Sequence, residues 1–207
     1  MKLTIVDHPL AAERLTRLRD EKTTPIVFRR VLKELSEFLI YEATRDIVFE
    51  RIDVKTPLRT TQGVRIDQPP LIVPVLRAAL GMLDAALTLL PTAHVGFLGM
   101  RRNEETFEAE PYLQTVPSDL NGQPILLLDP MLATGGSLVH ACEVVKDCGA
   151  GDITIVCALA APEGIERTRQ AGLASHVVTA SVDEGLNEHA YIVPGLGDAG
   201  DRQFGGL

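Results

Sequence analysis

Cysteine is scarce in this 207-residue chain, with three residues at positions 142, 148 and 157. The number is odd and no C-x-x-C pair occurs, which argues against a disulfide scaffold or a zinc site and fits buried thiols in a reducing cytoplasm. Cations are in the minority, 20 Lys and Arg against 28 Asp and Glu, for a net charge of −8. A broad cationic face for coating nucleic acid is therefore not expected. A small basic pocket for a phosphorylated metabolite remains compatible, since fields are screened beyond roughly 8 Å. Long apolar runs are missing too. The longest, LIVPVL (71–76) and ITIVCALAAP (153–162), are strand-sized, well short of the ~20 residues of a membrane-spanning helix. The opening MKLTIVDHPL has one Lys followed by Asp–His–Pro and does not read as a signal peptide. A cytoplasmic protein with no membrane association is the expectation. No repeat or low-complexity run is present, and 45% apolar with 23% charged residues is ordinary globular usage. One domain over 1–207 is the simplest organisation.

Segments 10–22 and 25–44 read as amphipathic helices; in the second, Val27, Val31, Leu35, Phe38 and Leu39 recur at three- and four-residue spacing. From residue 46 the pattern changes to short β-rich runs. IVFERIDV (47–54) is partly alternating, whereas LIVPVL (71–76), AHVGFLG (93–99), ILLLD (125–129), DITIVCAL (152–159) and SHVVTAS (175–181) are nearly all apolar, as in strands buried on both faces. Helical stretches at 78–90, 137–148 and 163–171 separate most of them. The alternation predicts an α/β fold, an open, mostly parallel sheet flanked by helices. Ligands in such sheets bind beyond the carboxyl ends of the strands. Segment 100–124 interrupts the pattern with Asn103, Glu104, Glu105, Glu108, Glu110 and three prolines. A connection of this length reads as a flap or lid, with a hairpin of no special role as the alternative.

The strongest local signal is ILLLDPMLATGGSLVHACEVV (125–145). A strand ends in Asp129, Pro130 fixes the chain, and a loop with Thr134, Gly135, Gly136 and Ser137 leads straight into a helix. Glycines turn N–H groups toward an anion, the helix start adds unpaired N–H groups, and hydroxyls add donors: a phosphate cradle. It is not a Walker A loop, because no Lys precedes Ser137. The competing reading is a capped turn. GLGDAG (195–200) matches the dinucleotide fingerprint literally, yet only seven residues follow it, so the βαβ unit that motif serves has no room. Its bare backbone around Asp198 suits close approach to a flat ligand. Arg77, after the strand 71–76, suits fork-like phosphate recognition, and Arg101 and Arg102 follow the neighbouring run. His8, His94, His140, His176 and His189 have no metal-ligand spacing. Tyr191 reads as core or as a face against a base.

Seven segments, VDHPL (6–10), LRD (18–20), YEATRD (41–46), PVLRAALGM (74–82), DPMLATGGS (129–137), AAPEGI (160–165) and DEGLNEHAYIVPGLGDAGDRQFG (183–205), together resemble the uracil phosphoribosyltransferase family over nearly the whole chain. Ala79 departs from the Gly usual there. The resemblance implies a type I phosphoribosyltransferase-like fold with N-terminal helices in 1–45, a lid at 100–124 and a base-binding hood at 183–207. It implies the reaction of uracil with phosphoribosyl pyrophosphate (PRPP) to give UMP and pyrophosphate, assisted by Mg²⁺, as in pyrimidine salvage. Asp129, Pro130, Met131, Leu132, Ala133, Thr134, Gly135, Gly136 and Ser137 would hold the 5′-phosphate and ribose, and Arg77 and Arg102 the pyrophosphate. Asp198 would sit by the donor and its metal, with no side-chain metal ligand assured. Ile192, Gly197, Asp198 and Ala199 would surround uracil, and Asp129, Arg102 and Asp198 would be catalytic. No His or Glu stands out as a base for uracil N1. The resemblance also implies homo-oligomerisation and, for the basic stretch 13–33 with seven cations against three acids, a GTP effector site; a solvated helix face is the plainer reading of that stretch. The alternatives are a pyrimidine-sensing RNA-binding regulator on the same fold, or a phosphoribosyltransferase for another base.

Overall fold

The computed structural model describes residues 1–102 and 109–206. In chain order the elements are β1 (Lys2–Ile5), α1 (Pro9–Arg19), α2 (Pro25–Ala43), β2 (Phe49–Lys55), β3 (Thr60–Ile66), β4 (Leu71–Leu76), α3 (Leu80–Leu89), β5 (Leu98–Arg102), β6 (Ala109–Gln114), β7 (Ile125–Leu128), β8 (Met131–Leu132), α4 (Gly136–Asp147), β9 (Ile153–Ala160), α5 (Pro162–Ala171), β10 (His176–Val182), β11 (Gly185–Leu186), β12 (Ile192–Val193) and α6 (Ala199–Phe204). The main sheet runs β1-β10-β9-β7-β4-β5-β6, with β8 beside β9. Every pairing in it is parallel except β5 with β6 at one edge.

Strand alternation divides the apolar runs between two cores. Ile72, Leu126, Leu128, Val156, Ala158 and Val178 face α1, α2 and α3, where Phe28, Leu32, Leu35, Leu39 and Met82 meet them. Leu71, Val73, Ile125, Leu127, Ile153, Ile155 and Val177 face the other way, onto Leu138, Ala141 and Val145 of α4 and Ile165 of α5. The expected continuous apolarity thus serves two layers at once, each fully buried large side chain contributing about 1.5–3 kcal/mol. Helix starts follow local chemistry. Pro9, Pro25 and Pro162 stand in first turns, where a missing N–H costs nothing, and the His8 side chain caps α1 by accepting from Leu10 N.

Several expectations need correction. The run 93–99 is not a strand along its length: residues before Leu98 add only a bridge from Val95 to Ile72, and Gly96 lies so close to Val116 that a Cβ would sit 3.3 Å from its Cα. The N-terminal stretch holds a strand besides its helices, since β1 pairs with β10 from Lys2↔His176 to Ile5↔Thr179. The 47–54 run joins no main sheet; β2 pairs only with β3, an antiparallel hairpin with both faces largely exposed. The lid expectation also contracts. Residues 98–102 and 109–114 form an antiparallel ribbon, 103–108 lie outside the described residues, and 115–124 return to the body. There Val116 and Leu120 are buried and Leu120 N donates to Cys148 O. Cys142 and Cys157 are buried as expected, but Cys148 is only half-buried. Among the described residues no helix is long and apolar enough to cross a membrane.

Candidate active site

The sheet places the ends of β4 and β7 side by side, Pro74 opposite Leu128, so the residues that follow them face one space. That space is a cleft of ≈ 660 Å³, floored by Asp129, Met131, Ala133 and Ser137, walled by Arg77 and Ala78, and roofed by Tyr191, Ile192, Gly197, Asp198 and Ala199.

Asp129 anchors the floor, with one carboxylate oxygen accepting from Met131 N at 3.1 Å. Burial pushes its carboxyl up to about 7; the Met131 N–H acts in the opposite direction and the charge of Asp198 adds to the rise. Asp129 and Asp198 thus bring two carboxylates to one cleft. The turn beyond it depends on Gly135, whose φ of 78° is left-handed backbone that a side chain strains. It also lies against α5, where an added Cβ would come to 3.0 Å of Gly164 O. Gly135 itself is the N-cap of α4, with no side-chain cap; the capped-turn alternative, a Thr or Ser at that position, is therefore not what the structure has. Of the predicted cradle, Asp129, Met131, Ala133 and Ser137 reach the cleft. Pro130 and Leu132 are buried, Leu132 within the α4–α5 core, so their side chains hold the loop from behind. Thr134 accepts from Gly136 N at 3.4 Å and, with Gly135 and Gly136, shapes the turn.

Arg77 opens the loop after β4 and is about half exposed; its guanidinium lies 4.0 Å from the Asp201 carboxylate. The peptide joining it to Leu76 is cis. Ala79 is fully buried in the core beside α2, at φ −72° and ψ −6°. Its methyl is accommodated and no glycine-only conformation is required there. Arg101 and Arg102 do not follow a strand, as expected, but belong to β5, in register with Glu110 and Ala109 of β6.

The C-terminal roof is built from main chain. β11 and β12 pair antiparallel, the Val193–Pro194 peptide is cis, and Gly195 and Gly197 take φ of 62° and 80°. Asp198 caps α6, accepting from Asp201 N at 2.8 Å. Helix α6 begins inside GLGDAG at Ala199 and runs for six residues, no strand follows it among the described residues, and the dinucleotide reading stays rejected. Tyr191 is not core: it is 45% exposed and lines the cleft.

Three residues that were not singled out hold this roof. Asp183, whose side chain is almost wholly buried, receives both terminal nitrogens of Arg19 at 2.7 and 2.6 Å, the Ser181 hydroxyl at 2.9 Å and Gly195 N at 3.0 Å. Burial alone would raise its carboxyl, but Arg19, Gly195 N–H and Ser181 outweigh that and hold it below the ordinary carboxylate range. Arg19 also donates to Gly195 O at 2.9 Å. Arg202, lying over the Phe28 ring, donates to the carbonyls of Leu18, Leu196 and Asp20 at 3.0, 2.7 and 2.7 Å. Arg19, Asp183 and Arg202 lay within resembling segments, but no spacing marked them individually. The stretch 13–33 is correspondingly less free than its charge suggested. Arg14 pairs with Glu13 and Glu34, Arg17 with Glu13, Arg30 with Glu34 and Arg19 with Asp183, while Arg29 donates to Gln203 O.

A mostly parallel sheet with this cleft beyond its strand ends is the architecture of phosphoribosyltransferases. The adenine phosphoribosyl transferase of Trypanosoma brucei, solved with AMP, pyrophosphate and ribose-5-phosphate, superposes at a TM-score of 0.55 with 14% identity, covering 90% of this chain and 86% of that one. Closer likeness narrows the class. Residues 5–206 match the sequence profile of the family described as uracil phosphoribosyltransferase. A uracil phosphoribosyltransferase of Streptomyces avermitilis is 57% identical over 208 residues, 99% of each chain. A solved structure of an Aquifex aeolicus protein reaches a TM-score of 0.93 at 38% identity, covering 98% of both chains. The chain belongs to the uracil phosphoribosyltransferase family.

Proposed function

We propose that the protein transfers the 5-phosphoribosyl group of PRPP to uracil N1, releasing pyrophosphate. The observation that carries this reading is the composition of the cleft: Asp129 and the Ala133–Ser137 turn on one side, Arg77 on another, and a roof of glycine-bearing main chain opposite them. The new N1–C1′ bond forms as the C1′–O bond to pyrophosphate breaks, so positive charge develops on the ribosyl carbon, as in glycoside chemistry. Asp129 and Asp198 supply nearby negative charge, and the N–H groups opening α4 suit the 5′-phosphate. Arg77, which lines the cleft, suits the leaving group, and Arg102 would join it by resemblance.

Mg²⁺ fits the same cleft. Two carboxylates line it, and a hard cation that keeps oxygen ligands is typically held by one or two carboxylates plus substrate phosphates; Asp129 and Asp198 would be those residues. When bound it would neutralise charge on the departing pyrophosphate. The upward shift of Asp129 supports this, since a cation relieves what desolvation and Asp198 impose on it. Uracil presents acceptor–donor–acceptor along O4, N3–H and O2. Main-chain groups at Ile192, Gly197 and Ala199 cannot re-orient to suit cytosine, whose pattern is reversed at the first two positions.

The decisive assay is UMP formation from PRPP with uracil, set against cytosine, adenine and hypoxanthine as alternative bases, each with and without Mg²⁺. Mg²⁺-dependent turnover on uracil alone is expected. Turnover on another base would move the assignment within the phosphoribosyltransferases. Donor binding without turnover on any base would favour the RNA-binding regulator, whose RNA retention would fall with salt. Self-association belongs to the same proposal, supported by the exposed apolar side chains of the β2–β3 hairpin, Phe49, Leu58 and Val64. GTP activation, by contrast, draws little support from 13–33, where five arginines already have partners within the chain.

A further inference from the structure

Resting on that reading of the cleft, we infer that Gln203 couples its two halves: it is a positioning residue through which occupation of the Arg77–Ala78 loop by pyrophosphate sets the affinity of the C-terminal roof for uracil. Gln203 lies on α6 and is fully buried. Its Nε2 donates at 2.8 Å to Ala78 O and at 2.8 Å to Ala199 O. Ala78 follows the arginine assigned to the leaving group, and Ala199 follows Asp198 in the segment assigned to the base. A single amide therefore bridges main-chain atoms from both subsites, 121 residues apart in sequence.

The orientation of that amide is fixed by its partners, because two carbonyls accept only from the NH₂ end. Oε1 is consequently turned away, and among the described residues it is left as a buried side-chain acceptor without a partner. It points at Gly81 in α3, where an added Cβ would come within 2.1 Å of it. An unbranched apolar side chain would fill the same space and remove the unpaired Oε1, but it would also take away the donor to Ala78 O and Ala199 O. What the amide adds is the bridge. Arg29 holds Gln203 O from the other side, so the main chain of Gln203 is fixed while its side chain ties the Ala78 loop to the first residue of α6. The same helix makes a second link, since Asp201 lies 4.0 Å from the Arg77 guanidinium. An anion that draws Arg77 away from Asp201 shifts the loop carrying Ala78, and Gln203 passes that shift to Ala199. Such coupling is reciprocal: pyrophosphate tightens uracil and uracil tightens pyrophosphate by one factor.

The test is calorimetric titration of uracil into the protein with and without saturating inorganic pyrophosphate and Mg²⁺, for the natural chain and for Gln203→Met. The natural chain should bind uracil at least about 5-fold more tightly with pyrophosphate present, and Gln203→Met should bring that factor to about 1. A merely structural role would weaken both titrations equally and leave their ratio intact, and that result would overturn the inference. So would the absence of any tightening in the natural chain. Should Gln203→Met fail to fold, Gln203→Glu keeps the shape with at most one proton to share between two carbonyls; its ratio should fall below the natural one, and a full ratio overturns the inference. UMP synthesis by the natural chain is measured alongside. Its absence would discard the uracil reading itself, a separate result from loss or retention of the ratio.

Discussion

Asp129 and Asp183 each stand one residue beyond a buried strand, yet their surroundings drive them in opposite directions. Asp129 has one backbone donor and another carboxylate near it, and burial raises it from 3.8 to about 7. Asp183 has Arg19 and two further donors, and lies below its ordinary value. The consequences for stability have opposite sign. Between about 4 and 7 the folded chain holds a proton on Asp129 that the unfolded chain has lost, so this residue costs stability increasingly as the pH rises, fully above 7. Asp183 contributes stability above its unfolded value and loses it as the pH falls through its lowered folded value. Asp129→Asn removes the first effect. Its melting temperature should exceed that of the natural chain at pH 8 by several degrees, given about 2–4 °C per kcal/mol at this size, with the margin closing towards pH 4. Its UMP formation should fall about 10²–10³-fold. Thermal melts of both chains across pH, beside the UMP assay, check both, and a margin over the natural chain no larger at pH 8 than at pH 4 would contradict the assigned shift. Asp129 was legible as the acid ending an apolar run. Gln203, Arg19 and Arg202 were not: each joins parts of the chain more than a hundred residues apart, Arg19 through Asp183 and the other two through main-chain carbonyls that no residue pattern records.

At the scale of elements, the apolar runs located β4, β7, β9 and β10 because strands buried on both faces have few polar positions. The same rule misplaced β5. In the run 93–97, Ala93 and Val95 pack with the core on the α1–α3 side and Gly96 lies against Val116, with a single bridge from Val95 to the sheet. It also passed over β3, TTQGVRI, which is nearly all exposed and so has no apolar face to show. β1 escaped notice for a related reason, as an edge strand of four residues with two of them exposed. The TGGS turn was legible since its chemistry is local. Its glycine is testable: Gly135→Ala forces a left-handed residue to carry a Cβ against Gly164 O. The expected cost is about 1–2 kcal/mol, with a raised KM for PRPP and an unchanged KM for uracil at saturating donor. Differential calorimetry and steady-state kinetics would show it, and an unaltered KM for PRPP would remove this turn from phosphate binding.

Taken as a whole, the molecule has two cores that are opposite faces of one sheet, sharing β4, β7, β9 and β10. Neither face can lose its packing while the other keeps it. A single calorimetric transition with matching van't Hoff and calorimetric enthalpies is therefore expected; two resolved transitions would break the single-domain reading. The mostly parallel sheet was legible from the alternation of strands and helices, whereas its closure at one edge by β1 was not.

That closure bears on how the protein is made. β1 waits for β10, its register beginning at Lys2↔His176, and Arg19 waits for Asp183 and Gly195. At roughly 5–20 residues per second on the ribosome, the first strand stays without its partner for about ten to thirty seconds. The cleft takes shape only after α6 has emerged, so a nascent chain carries the 133–137 turn long before it carries a roof. Chains stalled before residue 183 would lack the roof, so completion of the cleft depends on segment 183–204, made after the strands of the main sheet.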